Sequence, residues 1–267
     1  MVKAFNKVHK RESSINRKLI QAQAGSFGLF IDGILAENKA MDLVNCVSEQ
    51  VPLYVFSGII RNFLLGYLNN RDLDFVAVDS NKIKIPISLL KNVSISKNKF
   101  NGYKLVYNGL TIDWWDVERT WGILKERMKG TVYSLLNTAF FNFSAIVYDY
   151  NNRRFLISDD FCDFLSTRTM EIVYAKNPRI DTCIINALYY ADHYEFAIGN
   201  SLRKWIVKNY NENLDFERAQ MSRFQKVIYP NEMIHSFAIL CTKADIYNNG
   251  IIKLVGEGKD VVLRFAI

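Results

Sequence analysis

Asp72 and Asp74 stand two residues apart at the head of an apolar run, residues 73–78 (LDFVAV). Side chains alternate along a strand, so two such carboxylates point the same way and can converge on one hard cation. A magnesium ion held there would bridge triphosphate oxygens. A second ion could lower the pKa of an attacking hydroxyl, and both would neutralise charge developing at the transferred phosphorus. Such a site takes a third carboxylate. Asp113, in residues 110–115 (LTIDWW), is the first candidate, on a strand that can lie beside the other with Ile112 and Trp114 facing away; Asp116 is the alternative. Ser57-Gly58 follows a short apolar stretch and precedes a helical one. Its backbone amides, aided by the helix dipole and the missing side chain of Gly58, can therefore approach triphosphate oxygens, and Arg61 one turn on adds a fixed cation. Each feature alone is an ordinary loop or turn; in this order they read as a pocket for a metal-bound nucleoside triphosphate.

The elements that must position these residues follow from periodicity. Apolar residues recur at helical spacing over 38–49, Pro52 breaks the pattern, 53–56 reads as a buried strand, and 59–68 (IIRNFLLGYL) as a helix. Strand candidates 103–107 and 110–115 flank Asn108-Gly109, a hairpin turn signal, and 143–150 and 154–157 flank Asn151-Asn152. A short helix is expected over 132–136. Beyond Pro178 the spacing becomes helical, with Ile184, Leu188 and Tyr189, then Leu202, Trp205, Ile206 and Val207; residues 251–267 fit strand or helix. The expected fold is an α/β (α+β) head with a mixed sheet, followed by a mainly helical C-terminal lobe. The expected divisions are an N-terminal extension over 1–35, partly on the surface, the head over 36–176 and the helical lobe over 177–267.

The segment SGIIRNFLLGYLNNRDLDFVAV resembles the signature Gly-Gly-x-Val-Arg-Asp-x-Leu-Leu-Gly followed by Asp-Leu-Asp-Phe-Val-Val of the class II tRNA nucleotidyltransferases, the CCA-adding enzymes and bacterial poly(A) polymerases. The resemblance implies a nucleotidyltransferase head in which Ser57 and Gly58 stand where paired glycines bind triphosphate, Arg61 at the signature arginine, Gly66 at the helix-ending glycine, Asp72 and Asp74 at the metal ligands and Asp113 at the third carboxylate. Asn62 stands where the family has aspartate. Residues 138–157 (TAFFNFSAIVYDYNNRRFLI) are similar to the later Arg-Arg-Asp-Phe-Thr-x-Asn-Ala-Leu-Ala-Tyr-Asp segment through Phe141, Ala145, Tyr148 and Asp149. Thr138, Ala139 and Phe140 replace its Arg-Arg-Asp, and Ser144 its asparagine, residues that in the family contact sugar and phosphates. The base-reading Glu-Asp-x-x-Arg motif keeps only the Pro178 and Ala187 frame, so the CTP-and-ATP template of a CCA-adding enzyme is not expected. Convincing similarity covers residues 50–160.

The net charge of +7 favours polyanionic partners. Lys82, Lys84, Lys91, Lys97 and Lys99 read as a solvated loop before an RNA contact. Trp114 and Trp115 could stack a base, with one expected to point inward. Arg203, Lys204 and Lys208 share a helical face that could meet phosphate or simply solvate the lobe. His9, His193 and His235 form no triad or ligand spacing, and Cys46, Cys162, Cys183 and Cys241 no zinc pattern. Free thiols imply a reducing, cytoplasmic setting. There is no apolar run long enough for a membrane span and no secretory signal. The expected activity is magnesium-dependent transfer of a nucleotide from an NTP to an acceptor hydroxyl on RNA, a tRNA 3′ end first. A protein or small-molecule acceptor and a non-catalytic nucleotide or RNA binder are the alternatives.

Overall fold

The computed structural model describes residues 14–67, 72–91, 93–98, 101–243, 250–256 and 259–266. Leu68, Lys99, His9 and the basic residues at 3–11 lie outside them. The chain forms two compact units: the first runs to Ala139 and takes in Phe143–Cys162, and the second comprises Phe140–Asn142 and Asp163–Ile267.

The first unit begins with helices α1 (Ser14–Ala22), α2 (Ala24–Glu37) and α3 (Met41–Ser48). Strand β1 (Leu53–Phe56) then turns into helix α4 (Gly58–Leu64), which leads to β2 (Asp72–Ala77). Strands β3 (Ser94–Lys97), β4 (Tyr103–Tyr107) and β5 (Leu110–Asp116) precede helices α5 (Trp121–Glu126) and α6 (Val132–Asn137). A final hairpin is β6 (Ile146–Asp149) with β7 (Arg154–Ile157). The seven strands lie in the order β3-β4-β5-β2-β1-β6-β7, antiparallel except for the parallel pair β2 and β5.

Alternation along these strands builds two cores. On one face, Phe27 of α2, fully buried, meets Tyr148 at 4.8 Å, Phe155 at 5.3 Å and Phe63 of α4 at 5.2 Å between ring centroids. On the other face, Val76, Trp115 and Val147 pack beneath Ile123 of α5 and Val132, Leu135 and Leu136 of α6. Over its described residues the N-terminal stretch has an exposed side, with Ile15, Leu19 and Leu29 on the surface, and a core side on which Phe27, Ile31 and Leu35 of α2 are fully buried. Among the described residues no single helix is long and apolar enough to cross a membrane; α1 and α2 pass that test only as a pair bent by 41°.

Turn chemistry explains the boundaries. The Asn108-Gly109 hairpin forms as its residues predict, with φ of 44° and 93°. Helix α4 stops earlier than the apolar spacing of 59–68 indicates. Gly66 adopts φ 81°, its amide bonds the Phe63 carbonyl, and the Tyr67 amide bonds the Asn62 carbonyl. This paired closure with a left-handed residue ends a helix regardless of the apolar residues that follow.

The second unit contains a short parallel pair, β8 (Thr169–Met170) and β9 (Ala197–Ile198), and helices α8 (Ile180–Tyr194), α9 (Asn200–Asn209), α10 (Phe216–Phe224) and α11 (Asn231–Lys243). Helix α7 (Asp159–Thr167) carries the chain into it, and a hairpin of β10 (Ile251–Gly256) and β11 (Lys259–Arg264) resolves the ambiguity of 251–267 as strand over its described part. The units part at Cys162, and residues 140–142 of the second unit pair with its 169–173 segment. Phe141 bridges Ile172, the Val173 amide bonds the Phe140 carbonyl, and buried Asn142 bonds the Thr169 carbonyl and the Glu171 amide.

Among the described residues no atom lies within 4 Å of where a Gly66 Cβ would stand, so Gly66→Ala costs the left-handed backbone. Denaturant unfolding is expected to show a loss of about 1–2 kcal/mol, and an unchanged midpoint would refute this account of the helix stop.

Candidate active site

Strand β1 ends at Phe56 at the same end of the sheet at which antiparallel β2 begins with Asp72. The turn that follows β1 is tight. Ser57 is buried and holds φ 20° and ψ −62°, outside the regions comfortable for a residue with a Cβ, so the backbone here is glycine-like although the residue is serine. Gly58 opens α4, and a Cβ built on it would meet nothing within 4 Å. Packing inside the protein therefore does not require glycine at 58. At seven residues, α4 is shorter than its apolar spacing predicts, so the amides of the turn matter more here than the helix dipole.

The carboxylates stand where alternation predicts. Leu73 and Phe75 are buried on one face of β2, while Asp72 is exposed and Asp74 half-buried on the other. On β5, Ile112 and Trp114 are buried and Asp113 is half-buried. The parallel register puts Asp74 directly opposite Asp113 and Asp72 opposite Thr111. Two residues further along each strand, Val76 and Trp115 lie under α5 and α6. The acidic residues thus occupy the part of this face that these helices leave uncovered.

Hydrogen bonding distinguishes Asp113 from Asp116. Asp116 accepts from the Ser80 amide at 2.7 Å and the Glu118 amide at 2.9 Å, which makes it a loop cap. Asp113 accepts from Asn98 Nδ2 at 3.4 Å and has Lys104 Nζ at 3.9 Å. Neither residue had a signal in the sequence, because their relation to Asp113 comes from strand register. Among the described residues no three His, Cys, Asp or Glu side chains gather as a metal cage, so the expected three-carboxylate centre is not formed by the protein alone. Asp72 and Asp74 still fit one hard cation, since magnesium is commonly held by one or two carboxylates with substrate phosphates completing its shell.

Arg61 is fixed but not presented on the surface. It is 5% exposed, bonds Asn62 Oδ1 through Nε at 3.1 Å and Nη2 at 2.8 Å, and lies 5.1 Å over the Phe143 ring. The Asn62 amide oxygen thus serves as acceptor where a carboxylate was expected. Thr138, Ala139 and Phe140 do packing work. Thr138 bonds the Ser134 carbonyl and fills the space beside Gly122, Ala139 is buried, and Phe140 sits 4.8 Å from Trp205 within the second unit.

Other sequence candidates resolve as structure. Trp114 and Trp115 are both buried, on opposite faces, where one was expected outside. Arg203 is buried and bonds the Cys241 carbonyl and Asn200, so it leaves the exposed face of α9 to Lys204 and Lys208. Of the lysine run, Lys82 pairs with Asp79 and Lys97 lies 4.6 Å over Tyr103. His193 contacts Asp192 and Tyr229, and burial lowers its pKa; His235 meets Tyr210 at 3.0 Å. A cleft of about 390 Å³ opens at the far end of the sheet beside Tyr54, Asn151 and Arg154, where both Asp149 oxygens accept from Asn152 of the turn.

No protein-family model matches the sequence, and no curated protein matches it. Among solved structures the chain is similar to a tRNA-processing enzyme with CTP, at 15% identity and a TM-score of 0.50, over 76% of this chain and 56% of that one. It is also similar to a CCA-adding enzyme with CTP (18% identity, TM-score 0.45, 81% and 61% covered) and to the Thermotoga maritima CCA-adding enzyme complexed with tRNA (17%, 0.47, 77% and 55%). The chain spans 56% of the first of these enzymes. At such identity the likeness is one of fold: the chain has the class II tRNA nucleotidyltransferase fold, a mixed α/β head followed by a helical lobe.

Asp116→Ala removes two backbone caps and is expected to cost about 1–2 kcal/mol in chemical denaturation. Asp113→Ala should cost less; the reverse order would mean the two aspartates have been assigned the wrong way round.

Proposed function

We propose that this chain transfers a nucleotide from a nucleoside triphosphate to an acceptor hydroxyl on RNA, with a tRNA 3′ end as the first acceptor, and releases pyrophosphate. The observation that supports this most directly is the juxtaposition of Asp72 and Asp74 with Asp113 on one sheet face, beyond the part that α5 and α6 cover and at the end where the Ser57-Gly58 turn leaves β1. The fold adds support at the level of class, since a tRNA-processing enzyme of similar fold is described with CTP.

In this reading the turn amides at Ser57 and Gly58 take triphosphate oxygens, and the space open at Gly58 admits them. Arg61 holds the turn from beneath through its bonds to Asn62 and its stacking on Phe143. Asp72 and Asp74 would hold the divalent ion, which when bound neutralises charge on the triphosphate. Asp113 lies beside Asp74, placed to orient the acceptor hydroxyl and receive its proton. The acceptor oxygen bonds to the α-phosphorus, the bond from that phosphorus to the α,β-bridging oxygen breaks, and pyrophosphate departs.

A protein or small-molecule acceptor is the second reading. It is favoured by Thr138, Ala139 and Phe140, whose packing roles leave no polar contact where the resembled family grips sugar and phosphate.

The test is transfer of label from each α-labelled triphosphate, with magnesium, into total tRNA and separately into total protein. Label in tRNA that is lost in Asp72→Ala plus Asp74→Ala is expected, a fall of at least about a hundredfold. Label in protein would move the assignment to the second reading, and none in either would leave a binder. Gly58→Ala separates the turn's two roles. Its stability should be equal or higher, by up to about 1 kcal/mol, because alanine is the better helix former and the space is open. Its triphosphate affinity should fall about tenfold, and unchanged affinity would remove Gly58 from the pocket.

A further inference from the structure

The register of the sheet continues the acidic row to its edge. Asp74 pairs with Asp113, Asp113 with Lys104 and Lys104 with Ser96, so four polar side chains on four adjacent strands lie in one line on one face. Directly opposed residues on one face of a sheet stand about 5 Å apart at Cβ, close enough for their end groups to act on each other. Lys104 uses that position: its ammonium is 3.9 Å from Asp113 Oδ2, while Asn98 Nδ2 is 3.4 Å from Oδ1. Asn98 is itself anchored, its Nδ2 also reaching the Trp114 carbonyl at 3.2 Å and its Oδ1 accepting from the Gly102 amide at 2.9 Å.

Both oxygens of Asp113 therefore face donors supplied by the protein. A carboxylate that ligates magnesium must offer a lone pair at about 2.0–2.1 Å, and an ammonium beside it repels a second dication from the same spot. We propose that in this chain Lys104 stands in for a second metal ion. Asp72 and Asp74 hold a single divalent cation with the triphosphate, and Asp113, kept in place by Lys104 and Asn98, is not a ligand. The inference rests on the nucleotidyl-transfer reading and deepens it. It turns the third carboxylate from a metal ligand into an acceptor-side group, and makes Lys104 the residue that positions it. The ammonium supplies one positive charge at the point where a second ion would supply two, and its side chain, half exposed, can follow the acceptor as it arrives.

The test counts ions instead of turnover. The full chain is incubated with Mn2+ and a triphosphate analogue carrying a methylene group in place of the α,β-bridging oxygen, then ultrafiltered, and the manganese and nucleotide retained by the protein are both measured. One manganese per retained nucleotide is expected for the parent and for Asp113→Asn. Lys104→Met should retain two, because Asp113 is released to ligate, and Lys104→Arg should return the ratio to one. Two ions in the parent that fall to one in Asp113→Asn would overturn the inference, as would a ratio of one in Lys104→Met. Failure of the parent to retain nucleotide at all is a different result, and it would overturn the nucleotidyl-transfer reading on which the inference stands. Lys104 is half exposed, so its variants are expected to fold, and equal thermal midpoints confirm that the count compares intact proteins.

Discussion

The parallel pairing of β2 with β5 is the constraint on which the rest of the first unit depends. Every other contact in the sheet is antiparallel. A parallel pair needs a connection that returns the chain to its starting end, and here the β3–β4 hairpin is part of that return. The consequence is chemical as well as topological. Parallel register brings Asp74 level with Asp113, and the same hairpin that makes the return delivers Lys104 and Asn98 to Asp113. A one-residue slip of β5 would turn Asp113 into the face where Ile112 and Trp114 are buried and bring those two toward the partly open face, at the cost of burying a carboxylate and exposing large apolar side chains. Hydrophobic burial on both faces is what holds the carboxylates in line.

Two buried cations illustrate how charge is kept inside this molecule. Arg61 donates to the neutral amide oxygen of Asn62 and has an aromatic ring beneath it, and Arg203 donates to a backbone carbonyl of α11 and to Asn200. Such groups cost several kcal/mol to desolvate and persist where hydrogen bonds are aimed at them. Both therefore act as fixed points of their own units: Arg61 braces the turn after β1, and Arg203 ties α9 to α11. In the second unit the Asp192 carboxylate plays the corresponding role, accepting from Tyr229 at 2.7 Å and Lys259 at 2.5 Å. Burial and that contact push the Tyr229 hydroxyl well above its ordinary pKa.

The segment after α6 is given over to packing and pairing within the protein. Residues 138–142 pack and pair: Thr138 bonds back into its own helix, Phe140 meets Trp205, and Asn142 clamps the strand at Thr169–Met170. Each of these contacts is internal to the unit that holds it.

How much of this was readable from the residues differs by element. Asp72, Asp74, Ser57 and Gly58 stood out because their signals are local: alternation along one strand, and a small-residue turn between a strand and a helix. The Asn108-Gly109 hairpin was equally local, since asparagine and glycine accept positive φ without help. Apolar spacing alone overran the end of α4 because it continues past Gly66, where the resemblance places a helix-ending glycine and where the hydrogen bonds do stop the helix. Strand β3 carries no apolar pattern, being exposed along its whole length, so periodicity is silent there. Tertiary structure alone decided that Asp116 caps a loop, that both tryptophans are buried, that Arg203 points inward, and that α2 belongs to the core of the first unit. It also decided that Lys104 stands beside Asp113. These are matters of which strand lies next to which and in what register, and register is set by the packing of two faces at once, a quantity no single stretch of sequence contains.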